Sequence, residues 1–179
     1  MQAPAGSGKT GAFALSSLIR VDTSMPKDII QILVVVNSME LCNQVHKVYE
    51  KLVSKTGITL SNFCSKNKKP AMVVITVHGS LGPMLSGRKP LNLKSLKQVV
   101  VDEADVFFQH ENFEHLWKLK DCKQLRESEK PVQWILFSAT FPIEGEDPTI
   151  DEIINKLVGK CIQIKVSAED SMLRINSIQ

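Results

Sequence analysis

The sequence has few cysteines, few arginines and no long hydrophobic run. Its four cysteines are isolated from one another, and no cysteine or histidine lies at the spacing of a zinc site. We interpret them as buried thiols in a reducing compartment. No apolar segment approaches the roughly 20 residues that cross a bilayer, and the amino terminus has no apolar signal region. These absences predict a soluble intracellular protein of the cytoplasm, the nucleus or both, without a membrane partner.

The overall composition is that of an ordinary globular domain. The chain has 179 residues, of which 43% are hydrophobic and 23% are charged. This excludes a disordered tail, a collagen-like fibre and a disulfide-dense mini-protein, and it predicts one domain over residues 1–179. The net charge of +3 permits nucleic-acid binding but does not indicate it.

Apolar β-branched segments alternate with helical patterns along the chain. The predicted strands cover residues 29–36, 71–76, 98–102, 132–137 and 161–166. The predicted helices cover residues 10–20, 41–52, 81–85, 113–125 and 149–158, with Ser38 as the cap of the second helix and Gly57 just past its end. This alternation predicts a three-layer α/β fold with a mostly parallel central sheet.

The chain opens with a glycine-rich segment, residues 3–10, that ends in Gly-Ser-Gly-Lys-Thr. Such a loop closes backbone N–H groups around phosphate oxygens, while its lysine reaches the β- and γ-phosphates and its threonine binds Mg²⁺. The candidate nucleotide-binding residues are Ala5, Gly6, Ser7, Gly8, Lys9 and Thr10. The general template has glycine where this chain has Ala3, and a simple glycine-rich turn before a helix is the alternative interpretation.

Two further motifs follow predicted strands. Asp102 and Glu103 end the run Val-Val-Val-Asp-Glu-Ala-Asp, where Asp102 can hold Mg²⁺ through water and Glu103 can deprotonate an attacking water. Acidic residues that cap the next helix are the alternative. Ser138-Ala139-Thr140 follows the strand predicted at 132–137, and alone it indicates only a turn.

These three motifs in this order resemble the first RecA-like domain of a DEAD-box RNA helicase, across essentially the whole chain. The run VDEADVFF and the segment after residue 160 look most like the mRNA-export branch of that family. The resemblance implies a RecA-like P-loop NTPase that binds Mg-ATP. It implies that Lys9, Asp102 and Glu103 are catalytic and that Thr10 and Asp102 hold Mg²⁺. It also implies that Asp105, Ser138 and Thr140 couple hydrolysis to movement between two domains.

The RNA-facing motifs of that family are only partly present. The resemblance implies RNA contacts at Ser38, Glu40, Gln44, Gly79 and Ser80. However, Asn37 and Met39 replace the proline and arginine of one motif, and only the glycine remains of a Thr-Pro-Gly motif at residues 77–79. The loss of a cation and a hydroxyl weakens the expected contacts with single-stranded or short duplex RNA.

The remaining expectations concern what accompanies this chain. Only Met1 and Gln2 precede the loop, so we expect a piece of a longer protein. This piece lacks the upstream adenine-reading segment and the second RecA-like domain. As an isolated monomer it is expected to bind Mg-nucleotide weakly, hydrolyse it slowly and not unwind RNA, because no arginine finger follows Thr140.

Two other functions remain open at this point. One is a non-catalytic, nucleotide-gated scaffold derived from a helicase, although the retained Glu103 argues against a pure binder. The other is a P-loop ATPase that translocates on DNA. Competition between ribo- and deoxyribo-oligonucleotides distinguishes it from an RNA helicase, because only RNA has the 2′-hydroxyl.

Overall fold

A five-stranded parallel sheet forms the centre of the protein. The computed structural model describes residues 1–4, 6–65, 68–88, 90–108, 113–128, 130–140, 148–159 and 161–166. The strands are β1 Ile32–Val36, β2 Leu60–Asn62, β3 Val73–Val77, β4 Gln98–Val101 and β5 Gln133–Leu136. Their order is β2-β3-β1-β4-β5, and every neighbouring pair is parallel. This confirms the predicted parallel α/β class.

The helices connect these strands and cover both faces of the sheet. They are α1 Lys9–Leu18, α2 Met39–Val53, α3 Leu81–Ser86, α4 Ala104–Phe108, α5 Phe113–Lys120, α6 Lys123–Arg126 and α7 Pro148–Val158, with a short 3-10 turn at His78–Ser80. Among the described residues, the longest helix has 15 residues, and no helix is both long and apolar enough to span a membrane.

The core consists of two apolar layers, one on each side of the sheet. Successive residues of β1 alternate between the layers, since Leu33 and Val35 belong to one and Ile32, Val34 and Val36 to the other. The first layer packs against α3, α5 and α7, and the second against α1 and α2. Because both faces of the sheet are covered, β1 is buried at every position, and its sequence is an unbroken run of apolar residues.

Several predicted boundaries differ from the structure. The strand predicted at 29–36 begins at Ile32, because residues 26–29 form a turn closed by the Ile29 amide on the Pro26 carbonyl. The helix predicted at 113–125 is divided, since Cys122 has extended backbone between α5 and α6. Ser38 caps α2 as predicted, by accepting a hydrogen bond from the Leu41 amide.

Two expectations about regular elements were wrong, and one short strand was missed. Gly57 does not cap α2, because the helix ends at Val53 and Gly57 lies in the turn beyond it. The strand predicted at 161–166 is reduced to a single parallel pairing of Lys165 with Gln2. The three-residue strand β2 was not predicted, because its polar residues Ser61 and Asn62 leave no apolar run to detect.

Helices α1 and α2 are tied together by a buried hydroxyl pair. Ser17 Oγ and Tyr49 Oη lie 2.6 Å apart, and Ser17 also donates to the Ala14 carbonyl at 2.9 Å. Both side chains are fully buried, so neither hydroxyl has water as an alternative partner.

Removal of the Tyr49 hydroxyl therefore tests the contribution of this hydrogen bond to stability. We expect Tyr49→Phe to lower the free energy of unfolding by about 1 kcal/mol in urea titrations, the usual value of a buried hydrogen bond. The same substitution in a Ser17→Ala background should cost clearly less, since the partner is already gone. Equal losses in the two backgrounds would contradict the pairing.

Candidate active site

The carboxyl ends of the parallel strands meet at one edge of the sheet. Asp102 follows β4, Ser138 lies two residues after β5, and Ser38 lies two residues after β1. In open parallel sheets this edge is where ligands bind. The fold thus brings the Asp102 and Ser138 motifs to one edge, and the pairing of Gln2 with Ser138 places the start of the glycine-rich segment beside them.

The glycine-rich loop leads directly into α1. Gly6 and Gly8 have φ of 75° and 85°, the left-handed region, and a Cβ at either position would meet nothing within 4 Å. Conformation rather than crowding therefore favours glycine at both positions. Gly8 precedes α1 without a side-chain cap, and the first turn of α1 has no acidic residue, so its N–H groups suit an anion. Ala5 lies outside the described residues.

The Lys9 ammonium group is folded back onto this loop. Its Nζ donates to the Ala3 carbonyl at 2.6 Å and to the Pro4 carbonyl at 2.8 Å. An ammonium has three N–H donors, so one more hydrogen bond to a phosphate oxygen is compatible with both contacts. Lys9 can therefore hold the loop and contact a ligand at the same time. This dual contact was not predicted from the sequence, which gives no sign of carbonyl partners.

Asp102 is almost entirely buried, with 6% of its surface exposed. Burial raises the pKa of its carboxyl, although the Glu103 amide donates to Oδ1 at 3.0 Å and the Lys9 charge acts in the opposite direction. Charges on Glu103 and Asp105 raise the pKa further. A buried carboxylate among acidic neighbours gains from a cation, and hydroxyl and carboxylate oxygens are ligands that Mg²⁺ accepts.

Glu103 has a strained backbone. Its φ of 52° is the one positive value outside glycine among the described residues. Such a conformation costs a non-glycine residue on the order of 1–2 kcal/mol. Its amide is held by Asp102 Oδ1, and its carbonyl accepts from the Val106 amide at 3.1 Å. The Ala104 amide then donates to the Phe137 carbonyl at 2.8 Å, which anchors the start of α4 to the end of β5.

A hydrogen-bond network joins the residues after β4 to those after β5. Thr140 Oγ1 donates to Asp105 Oδ2 at 2.7 Å, and Ser138 Oγ both accepts from the Thr140 amide and donates to its carbonyl, each at 2.9 Å. The structure therefore brings together Asp105, Ser138 and Thr140. Two nearby buried oxygens, Ser7 Oγ and Asp105 Oδ1, have no hydrogen-bond partner among the described residues. A buried oxygen without a partner is unfavourable and is typical of a site where a ligand supplies the missing hydrogen bond.

The residues expected to face RNA lie after β1 and β3. The Ser38 hydroxyl caps α2, and Gln44 Nε2 donates to Glu40 Oε1 at 3.3 Å on the exposed side of that helix. Gly79 and Ser80 lie in the 3-10 turn, which has no buried residue. Glu40, Gln44 and Gly79 are exposed, whereas Ser38 and Ser80 are partly buried. Met39, at the position of the missing arginine, is 60% exposed.

His78 belongs to an aromatic cluster that the sequence does not reveal. Its ring lies edge-on to Phe107, with centroids 5.4 Å apart, and 5.7 Å from the ring of His115. The histidine that replaces the family's proline therefore links the 3-10 turn to α4 and α5. His78, Phe107 and His115 have no regular spacing in the sequence, so no sequence pattern predicts that their rings pack together.

Comparisons with known proteins identify the family to which this chain is similar. A model of the DEAD/DEAH box helicase family matches residues 1–147. The chain is 33% identical to DEAD-box ATP-dependent RNA helicase 38 of Arabidopsis thaliana, over 96% of this chain and 35% of that protein. It is 32% identical to ATP-dependent RNA helicase dbp5 of Schizosaccharomyces pombe, over 78% of this chain and 27% of that protein. The chain thus spans well under half the length of these relatives.

Solved structures show the same likeness. Dbp5 of S. cerevisiae bound to RNA and ADP BeF3 has a TM-score of 0.74 and 26% identity, over 94% of this chain and 41% of that one. A DEAD box protein of Methanococcus jannaschii also has a TM-score of 0.74, with 27% identity over 93% of this chain and 44% of that one.

The raised pKa of Asp102 predicts a pH-dependent stability. Because the charged form is less favourable in the folded chain than in the unfolded chain, the free energy of unfolding falls as the pH rises above the ordinary aspartate pKa of about 4. Asp102→Asn keeps the acceptor for the Glu103 amide but removes the charge. The variant should therefore be more stable than the wild type at pH 7, and the difference should shrink as the pH is lowered through the raised pKa.

Urea midpoints between pH 4.5 and 7.5 measure this difference. Asp121→Asn is a matched control, since Asp121 is exposed and paired only across a surface contact with Arg126. A gain for Asp102→Asn that grows as the pH falls would show that burial does not control this carboxyl.

Proposed function

The chain belongs to the DEAD/DEAH box helicase family, and from this premise we propose that it is the nucleotide-binding motor domain of an ATP-dependent RNA helicase. Residues 1–179 form a single RecA-like domain that works with a second RecA-like domain. The names of the relatives support this activity, and the Dbp5 helicases among them agree with the resemblance to the mRNA-export branch. Because the chain spans only part of their length, the whole reaction belongs to the completed protein.

One observation carries the nucleotide-binding proposal. Two glycines with left-handed backbone lead into the uncapped amino terminus of α1, and the Lys9 ammonium group lies against this loop with two of its three donors used. The amides of Gly6, Ser7, Gly8 and the first turn of α1 bind the phosphates, and Lys9 adds its third donor. Backbone amides at a helix amino terminus together with a lysine are the groups that phosphate binding needs.

The residues present fit a magnesium ion. The Thr10 hydroxyl and the buried Asp102 carboxylate are oxygen ligands, and a cation relieves the desolvation that raises the pKa of Asp102. When bound, Mg²⁺ neutralises charge on the phosphate oxygens. We assign Asp102 partly water-mediated contacts, as is usual for an ion that keeps several waters.

Glu103 is the proposed general base. Its carboxylate orients a water molecule and accepts its proton, while the water oxygen bonds to the γ-phosphorus and the bond to the β–γ bridging oxygen breaks. The products are ADP and inorganic phosphate. The left-handed backbone at Glu103, held by hydrogen bonds at its amide and carbonyl, fixes the direction in which this side chain leaves the chain next to Asp102.

Asp105, Ser138 and Thr140 are the proposed coupling residues. Their hydrogen bonds join the ends of β4 and β5, so a change beside Glu103 reaches the segment after β5.

The proposed RNA surface consists of Ser38, Glu40 and Gln44 on α2 and of Gly79 and Ser80 in the 3-10 turn. The proposed partners are single-stranded or short duplex RNA and the second domain, for an intracellular protein that acts as a monomer.

A scaffold function is the second candidate. Met39 exposes an apolar side chain where the resembling motif has an arginine, so this surface has one cation fewer for RNA phosphates. A helicase-derived scaffold would keep the phosphate loop while RNA contacts and turnover are lost. Whether the wild type hydrolyses ATP therefore distinguishes the motor function from the scaffold function.

Lys9→Ala tests the phosphate site. Because a charge-assisted hydrogen bond contributes about 1.5–3 kcal/mol, we expect fluorescent ATP to bind roughly 10- to 150-fold more weakly than to the wild type. Wild-type binding should be saturable and Mg²⁺-dependent, and Lys55→Ala on the exposed turn after α2 should be unaffected. Lack of saturable binding by a wild-type chain with a cooperative urea transition would refute the phosphate-site proposal.

Glu103→Gln tests the proposed base. Nucleotide affinity should change little, while phosphate release in single-turnover assays with RNA and the second domain should fall by about 10²–10⁴-fold. Glu127→Gln, on the exposed turn after α6, is the matched control. If neither the wild type nor Glu103→Gln releases phosphate faster than buffer alone, the scaffold function is favoured over the motor.

A further inference from the structure

Two thiols lie together between α2 and the end of β2. Cys42 is in the first turn of α2 and is fully buried in the apolar layer under α1 and α2. Cys64 lies two residues after β2 and packs against the same layer, with part of its surface exposed. The two residues are well separated in the sequence, and the packing of α2 on β2 and β3 brings them to one place.

Asn62 fixes the segment after β2 against this part of α2. Its Oδ1 accepts hydrogen bonds from Cys42 Sγ at 3.2 Å and from the Cys64 amide at 2.8 Å. Its Nδ2 donates to Asn43 Oδ1 at 2.8 Å, which holds the side-chain amide in this orientation. The Ser65 hydroxyl donates to the Asn62 carbonyl at 2.8 Å. One side-chain oxygen therefore sets the position of the Cys64 backbone relative to the Cys42 sulfur.

The two thiols also interact directly. The side chain and the amide of Cys64 both form hydrogen-bonding interactions with the Cys42 sulfur. Burial raises the pKa of the Cys42 thiol, the Cys64 thiol raises it further, and the Cys64 amide acts in the opposite direction. Cys42 therefore keeps its proton at neutral pH. Because the thiolate is the nucleophilic form, Cys42 is not the thiol that reacts first.

The difference in exposure between the two thiols gives each a separate role. Cys64 is partly exposed and is followed by the exposed Ser65, so a small oxidant reaches its sulfur. Cys42 has no exposed surface and is reached only through Cys64. An accessible thiol beside a second thiol is the arrangement in which the first is oxidised and the second resolves the product. A cysteine that serves only as a small apolar residue needs no such neighbour.

We propose that Cys42 and Cys64 are a reversible redox pair, in which hydrogen peroxide oxidises Cys64 and a disulfide then forms between the two residues. The Cys64 sulfur bonds to one peroxide oxygen while the O–O bond breaks, and the other oxygen leaves as water with the thiol proton. This step leaves a sulfenic acid on Cys64. The Cys42 sulfur then bonds to the Cys64 sulfur and the S–O bond breaks. The released oxygen leaves as a second water with the Cys42 proton, so the two thiols supply the two electrons that reduce the peroxide.

The disulfide would join α2 to the strand at one edge of the sheet. Strand β2 has three residues and pairs only with β3, so the new bond adds a covalent link to its hydrogen bonds. The link closes the chain between residues 42 and 64, which restrains the unfolded state as well. Dithiothreitol reverses the bond by thiol–disulfide exchange. The pairing of the two sulfurs does not depend on the proposed nucleotide chemistry.

Peptide mapping of the unmodified chain tests the pairing. The folded chain is treated with hydrogen peroxide, its remaining thiols are blocked with N-ethylmaleimide in urea, and the product is digested with trypsin. We expect residues 28–47, which contain Cys42, to be linked to residues 56–66, which contain Cys64. Dithiothreitol should separate the two peptides. Oxidation in urea above the unfolding transition should lose this selectivity, because the native contacts are then absent.

Three results of this mapping would overturn the proposal. The first is absence of the linked peptides from the treated, folded chain. The second is a link from Cys64 to a different cysteine or to a second chain. The third is oxidation of Cys64 to the sulfinic acid while Cys42 stays free, since a resolving thiol in contact would have closed the disulfide first.

Serine variants test the order of the two steps. Cys42→Ser keeps a donor for Asn62 Oδ1 but removes the resolving sulfur, so dimedone should label the Cys64 sulfenic acid roughly fivefold more strongly than in the wild type. In Cys64→Ser, Cys42 should remain unoxidised. Cys122→Ser is the matched control, because Cys122 is also partly buried but packs against the other apolar layer, and its linked peptides should equal those of the wild type.

Equal dimedone labelling of Cys64 in the wild type and in Cys42→Ser would show that Cys42 does not resolve the sulfenic acid, and the proposal would fail. Urea transitions establish that each variant is folded before labelling. The peptide mapping of the wild type decides the pairing even if a variant does not fold.

Discussion

The parallel register of β1, β4 and β5 is the constraint on which the active-site geometry depends. The ladder continues past the strands themselves, because the Asp102 amide donates to the Val35 carbonyl and the Ala104 amide to the Phe137 carbonyl. These two bonds fix where the chain leaves the sheet. A slip of one residue would exchange the faces of every side chain on the strand and would carry Asp102 away from the glycine-rich loop.

The site keeps several unfavourable features close together. The Asp102 carboxyl is buried and has lost most of its hydration, and Glu103 has a left-handed backbone. Buried oxygens of Ser7 and Asp105 lack hydrogen-bond partners among the described residues. Each of these features lowers stability, and such a concentration of unfavourable features is expected where residues are arranged for a ligand rather than for the fold. The apolar layers on both sides of the sheet supply the stability that makes this arrangement possible.

Sequence patterns predicted the parallel fold and the residues that meet at its edge, since both depend on local signals. Continuous β-branched runs mark doubly covered strands, and short motifs directly after them must lie at one edge. The contacts of Lys9 with the loop carbonyls, the strain at Glu103 and the packing of His78 on Phe107 depend on tertiary geometry, so no local pattern contains them. The expected strand at 161–166 was wrong because an apolar alternation cannot show whether a partner strand is present.

Residues 1–3 connect the glycine-rich loop to the segment after β5. Gln2 pairs with Ser138 and Lys165, and the Ala3 carbonyl accepts a hydrogen bond from Lys9. The position of the Lys9 ammonium group therefore depends on how residues 1–3 are held against the sheet. The loop is anchored at both of its ends, by this pairing at its start and by helix α1 at its end, so its conformation is set by tertiary contacts as well as by its glycines.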